Sequence, residues 1–214
     1  MRRLVIATPS GPACVDLDLA AGTSTQATGK RNTGRLLVIG HGAGGSVDAP
    51  DLLAVREHCL GVGISVARVT QPYRVAGKKA PPIAASLDAA WSAVITNLGR
   101  RKAVADLEFI YAGRSSGARV ACRAATDPAL EPAAAAVVAL AFPVHPPGKP
   151  EKSRLTELDA VPVPVLVVQG DKDPFGMPPA RRGREVRTVA GDHSLKREAG
   201  QVGVLVADWL AALN

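Results

Sequence analysis

The chain has 214 residues, 47% of them hydrophobic, which supports a globular rather than a disordered chain, one domain with a sizeable core over residues 1–214. A net charge of +7 and a pI near 9.7 raise nucleic-acid binding, yet aromatics are only 3%, leaving little for base stacking. The cations are also scattered in small groups (Lys78-Lys79, Arg100-Arg101-Lys102, Arg181-Arg182) rather than gathered in one basic arm, so no nucleic-acid partner is expected.

No apolar run reaches membrane-spanning length. The short apolar start, Leu4-Val5-Ile6-Ala7, is broken by Pro9, Gly11 and Pro12 and reads as mature sequence rather than a leader. Cys14, Cys59 and Cys122 lack metal-ligand spacing and cannot all pair, so each reads as a small buried hydrophobe and the chain as cytoplasmic.

In chain order, Leu4–Ala7 and Val15–Leu19 read as short strands around a Gly11-Pro12 turn, followed by a Gly/Ser/Thr-rich loop over 21–34. Leu36-Leu37-Val38-Ile39 is the continuous apolar run of a strand buried on both faces. It ends in Gly40-His41-Gly42-Ala43-Gly44-Gly45, whose glycines also spell G-x-G-x-x-G. A dinucleotide site needs a helix that opens among those glycines. Pro50 would lie inside such a helix, at a cost of about 3 kcal/mol. The helix is therefore expected to start late, with Asp48 or Ala49 at the cap and Leu52, Leu53, Val55 and Arg56 within it. Arg68, at the end of the next strand Ile64–Val69, keeps NADP binding as a rival reading. A Walker A loop is excluded by Ser46-Val47. The other use of the glycines is an oxyanion loop, with the Ala43 N–H aimed at a developing negative oxygen and His41 as a structural and pocket-lining residue.

Thr70–Pro82 reads as an irregular loop at the carboxyl end of the sheet, where open α/β sheets bind ligands; Tyr73 and Arg74 are pocket candidates there. Ile83–Leu98 is an amphipathic helix with Leu87, Trp91 and Val94 inward. Leu107–Tyr111 is a buried strand, and Gly117, Val120, Ala121 and Ala124 are the small face of a helix packed on a sheet. Between them Gly113, Ser115 and Gly117 fill G-x-S-x-G, the pattern of a nucleophile elbow, in which side chains two positions either side of the serine would collide. The competing reading is an ordinary loop with a serine N-cap. Ser116 lacks the flanking glycines, but its N–H would be the second oxyanion donor.

Pro128 and Pro132 close that helix, and Ala135–Ala141 is the next strand, leading to His145, a further pocket candidate. Residues 148–160 form a polar link with a helical turn or two. Val163–Val168 is a strand ending in Gly170-Asp171-Lys172-Asp173, Glu185–Val189 a last strand, and Val202–Leu213 a final helix after the Gly191-Asp192-His193 loop. Alternating strands and helices argue for one doubly wound, mostly parallel sheet.

A serine hydroxyl needs a base to remove its proton, and the base needs an orienting carboxylate. Ser115, an aspartate of the Asp171/Asp173 pair and His193 each follow a different strand, in the order this architecture uses. These motifs resemble the α/β-hydrolase superfamily from about Leu36 to the end: His41-Gly42-Ala43-Gly44-Gly45, Gly113-Arg114-Ser115-Ser116-Gly117, Gly170-Asp171-Lys172-Asp173 and Gly191-Asp192-His193. More narrowly, Phe142 to Pro150 and Val167 to Gly176 are similar to segments of the small dienelactone-hydrolase-like and testis-expressed-30-like branches. The resemblance implies a three-layer α/β-hydrolase fold and Asp173 as the acid, three residues after the glycine. It also implies a serine hydrolase of carboxylic esters or thioesters. Arg114 departs from the His or aromatic common at its position and joins the pocket candidates.

About twenty residues separate the Ala135–Ala141 strand from Val163, too few for a lid domain, so an open pocket for short acyl groups is expected. Arg74, Lys78, Lys79 and Arg114 either favour an anionic small-molecule acyl substrate or, as the default reading, are exposed surface cations. No H-E-x-x-H or C-x-x-C is present, so neither metal nor organic cofactor is implied. The rival to an enzyme is a hydrolase-shaped scaffold that only binds a partner.

Overall fold

The computed structural model describes residues 1–21 and 34–213, so the loop expected over 21–34 lies, but for its two end residues, outside the described residues. The elements are β1 (Arg2–Thr8), β2 (Gly11–Asp18), β3 (Arg35–Gly40), α1 (Pro50–Gly61), β4 (Ser65–Thr70), α2 (Pro72–Val75) and α3 (Ala84–Gly99). They continue with β5 (Glu108–Arg114), α4 (Ser116–Ala124), β6 (Ala134–Leu140), α5 (Leu155–Asp159), β7 (Val165–Gly170), β8 (Arg184–Val189) and α6 (Ala199–Ala212).

The strands form one eight-stranded sheet in the order β1-β2-β4-β3-β5-β6-β7-β8. The β1–β2 hairpin is antiparallel and joins β4 antiparallel; every pairing from β4 to β8 is parallel. Parallel strands need both faces covered, which explains the unbroken apolar runs. Along β3, Leu36 and Val38 enter the core beneath α3 and α4, whereas Leu37 and Ile39 enter the core beneath α1 and α6. β5 divides in the same way, with Phe109 and Tyr111 on one side and Ile110 and Ala112 on the other. This gives three layers.

Helix α1 starts at Pro50 with Ala49 at its N-cap, as its late-start signals require. The stretch Thr70–Pro82 departs from expectation, because Pro72–Val75 closes one helical turn. Pro72 presets the first helical φ, and the Gln71 carbonyl accepts bonds from the Arg74 and Val75 N–H groups. One turn is too short to leave a periodic pattern. Between β6 and β7 there is only the five-residue α5, and no lid domain is inserted. Among the described residues no helix is long and apolar enough to cross a membrane.

Asp18, buried at the end of β2, ties the antiparallel half to the helical layer. Both its oxygens accept from Arg56 of α1 (2.7 Å each), and the N-terminal amine lies 3.5 Å away. Because the sheet is parallel from β4 onward, the carboxyl ends of β3, β5, β6, β7 and β8 all open on one rim.

Candidate active site

Strand β5 ends at Arg114 and α4 begins at Ser116, so Ser115 alone makes the turn, at φ 53°, ψ −112°. A non-glycine residue held there costs of order 1–3 kcal/mol. The turn is fixed from both sides: the Ser115 N–H donates to the Leu140 carbonyl of β6 (2.8 Å), and the Ser115 carbonyl accepts from Arg119 (3.2 Å). A Cβ on Gly113 would sit 2.2 Å from the Gly117 carbonyl carbon, and one on Gly117 would sit 2.7 Å from the Gly40 and His41 carbonyl oxygens. Backbone on backbone cannot yield, so both positions demand glycine. The Ser115 hydroxyl makes no capping bond to α4, which disposes of the N-cap reading.

That hydroxyl instead lies 2.8 Å from His193 Nε2, and His193 Nδ1 lies 2.8 Å from Asp173 Oδ2. An ionised carboxylate only accepts, so the imidazole proton sits on Nδ1 and leaves Nε2 as acceptor for the serine proton. The Asp173 side chain is buried and further held by Gln169 Nε2 on Oδ2 (2.8 Å) and the Phe175 N–H on Oδ1 (2.9 Å). The Phe175 ring stacks on the imidazole with centroids 3.9 Å apart. Asp171 Oδ1 accepts from the Gly191 N–H (2.8 Å), clamping the histidine loop onto the end of β7. Gly170 is where that loop crosses, since a Cβ there would lie 2.5 Å from the Asp192 carbonyl oxygen. Asp192 is exposed and accepts from the Ser194 N–H and hydroxyl, which hold its carboxyl below the usual range.

The glycine loop after β3 is anchored by His41. Nε2 accepts from the Gln71 N–H (3.1 Å), so Nδ1 carries the proton and donates to the Gly42 carbonyl (2.8 Å). Burial pushes the His41 pKa down, which suits a neutral ring with one donor and one acceptor already engaged. Gly45 N–H closes a turn onto the Gly42 carbonyl (3.0 Å), with exposed Ala43 inside it. Tyr73 packs against the His41 ring, with centroids 5.9 Å apart. Arg74 donates to the Gly45 and Lys78 carbonyls (2.9 and 3.1 Å). Ser116 opens α4, so its N–H has no acceptor within the helix.

Of the ten residues singled out from the sequence, Ser115, His193 and Asp173 meet directly. His41, Tyr73 and Arg74 brace the glycine loop rather than present free polar groups. Arg114 Nη1 donates to the Ser194 carbonyl (3.3 Å), and its Nε lies 3.9 Å from buried Asp51. His145 Nδ1 lies 2.9 Å from the Pro146 carbonyl, and Gly176 packs so close that a Cβ there would lie 2.8 Å from its Nε2. With Arg74 and Arg114 engaged by backbone carbonyls, exposed Lys78 and Lys79 are the remaining cations of the anion-binding idea. Sequence reasoning missed Gln169, Phe175 and Asp51. Gln169 had a signal, as the one polar residue in the apolar run of β7; the other two had none.

The dinucleotide rival loses its geometry. No helix opens among the glycines, and the Arg68 guanidinium is engaged by the Val47 carbonyl (3.0 Å) and Asp48 (2.8 Å).

A family model described as an alpha/beta hydrolase domain matches residues 33–202. Among solved structures, the chain is similar to a lidless a/b serine hydrolase from Xanthomonas campestris, with 23% identity, TM-score 0.69 and 100% and 96% of the two chains covered. It is also similar to a dienelactone hydrolase from Anabaena variabilis, with 16% identity, TM-score 0.70 and coverage of 98% and 96%. An esterase domain from Rhodothermus marinus matches with 14% identity, TM-score 0.69 and coverage of 97% and 96%. At these identities the likeness speaks for the fold. No curated protein matches the chain.

Proposed function

The chain belongs to the alpha/beta hydrolase domain family, and from that premise we propose that it is a serine hydrolase of carboxylic esters or the related thioesters. The observation that carries the reading is the 2.8 Å contact between Ser115 Oγ and His193 Nε2, on an imidazole whose other nitrogen faces Asp173. Ser115 Oγ attacks the acyl carbon while His193 Nε2 takes its proton. The Ala43 and Ser116 N–H groups receive the oxyanion, a contribution of about 3 kcal/mol per donor in such sites. Collapse expels the alcohol or thiol, which leaves with the proton from His193. Water then enters, gives a proton to His193 and attacks the acyl carbon; the bond to Ser115 Oγ breaks, the carboxylic acid leaves, and His193 returns the proton to Oγ. Asp173 holds the tautomer and stabilises the imidazolium. This chemistry calls on no metal or organic cofactor. Three free thiols, two of them buried, accord with a cytoplasmic setting.

Fluorophosphonate labelling tests the reading. The wild-type protein should label at Ser115, and Ser115→Ala should abolish labelling and lower p-nitrophenyl acetate turnover at least about a thousandfold. A folded wild-type protein that neither labels nor turns over any p-nitrophenyl or thioester substrate is a binding scaffold instead.

A further inference from the structure

Arg114 immediately precedes the strained serine, and its guanidinium touches three segments that the proposed chemistry must keep in register. Nη1 donates to the Ser194 carbonyl (3.3 Å), one residue past His193. Nε and Nη2 lie against Gly42, 3.3 Å from where a Cβ would be, one residue before Ala43. Nε faces Asp51 Oδ2 at 3.9 Å, in the first turn of α1. Asp51 is fully buried, and neither of its oxygens has a side-chain hydrogen-bond partner, so Arg114 is the cation that faces it. Burial raises the Asp51 pKa, and Arg114 opposes that rise.

We propose that Arg114 is a positioning residue that sets the oxyanion loop and the histidine loop relative to Ser115, with Asp51 as the buried counter-charge that orients its guanidinium. The inference rests on the serine-hydrolase reading. A planar fork suits the task because Nη1 donates to Ser194 while Nε, without a hydrogen-bond partner of its own, faces the Asp51 carboxylate as a charge at 3.9 Å, and Nε and Nη2 lie against Gly42. A lysine would supply the charge but no second arm. The glycine at 42 belongs to the same device, since a Cβ there would sit 3.3 Å from Nε and Nη2 and press the guanidinium aside by a few tenths of an ångström.

The test compares wild type with Arg114→Lys, Arg114→Gln and the double variant Arg114→Gln/Asp51→Asn, each checked for folding by circular dichroism. Arg114→Gln strands a buried carboxylate and therefore confounds stability with geometry. The double variant removes both charges and keeps the test valid if the single one does not fold. The expected result is a kcat for p-nitrophenyl acetate about 100-fold below wild type in the double variant, with KM within about threefold, because a misplacement of about 1 Å costs that much. Arg114→Lys should recover only part of the loss. Wild-type kcat in the folded double variant would overturn the proposal, as would a rise in KM at unchanged kcat, which would make Arg114 a substrate contact. If wild type itself fails to label with fluorophosphonate, the hydrolase reading falls first. If wild type labels and the double variant labels equally fast, only the role of Arg114 falls.

Discussion

Ser115 and His41 show how single side chains are committed by their partners. The serine backbone is strained, and the strain persists because Leu140, Arg119 and the two flanking glycines leave no relaxed alternative. His41 is buried with Nε2 already accepting from the Gln71 N–H, so a second ring proton would set donor against donor. Its pKa is depressed by burial in the folded chain, whereas the unfolded chain binds a proton at the ordinary value of about 6.5. The unfolded state therefore takes up protons first, and stability present above that value is lost as the pH falls below it. Wild type should lose more melting temperature than His41→Asn between about pH 7 and pH 5 in a thermal denaturation series. Equal losses would mean the His41 ring accepts its second proton without penalty.

At the scale of elements, short polar links join layers that the hydrophobic core alone would not align. On one face of the sheet, Arg119 and Arg123 of α4 reach Glu157 of α5, and Arg123 also reaches Asp88 of α3. Burial works against the Glu157 charge, but the two guanidiniums outweigh it and hold the carboxyl below its usual range. On the other face, Asp18 joins β2 to α1 through Arg56, and Arg68 of β4 stands 4.0 Å away. Asp18→Asn removes charge-assisted bonds at a buried position and should destabilise the fold by about 2 kcal/mol, read as a lower urea midpoint. The hydrogen bond from Arg56 holds the Asp18 carboxyl below its usual range, so that stabilisation belongs above the unfolded-state value of about 3.8 and disappears under acid. An unchanged urea midpoint in Asp18→Asn would make the pair ornamental.

For the molecule as a whole, the proposed esterase reading makes the uncovered rim the feature that would select among acyl chains. Only α5 and its flanking loops lie between β6 and β7, so no inserted domain folds over the Ser115 rim to bury a long alkyl tail. Without that burial, added methylenes bring little binding free energy and extra disorder to constrain. The kcat/KM for p-nitrophenyl acetate should exceed that for the laurate ester by about tenfold or more. A rate that climbs with chain length would contradict an uncovered pocket. Part of the basic charge is met locally, with Arg3, Arg56, Arg119, Arg123 and Arg184 each facing an acid at 3.1 Å or less.

Much of this was legible in the chain alone, because it depends on neighbours in sequence. Apolar runs at Leu36–Ile39 and Val163–Val168 announce strands covered on both faces. Gly113 and Gly117 announce a turn too tight for a Cβ, and Pro50 announces a late helix start. Spacing left Asp171 and Asp173 as competitors, and only the fold separates them, since Asp173 meets the imidazole while Asp171 clamps the loop beneath it. Tertiary structure likewise decided that the Ser115 hydroxyl meets His193 rather than capping its own helix, and that Arg114 bridges to Ser194 and Asp51. Those contacts span dozens of residues of chain and arise only when parallel strands bring their carboxyl ends to one rim. A local pattern records what a residue does to its own backbone, and it carries no record of which distant side chain the sheet will deliver beside it.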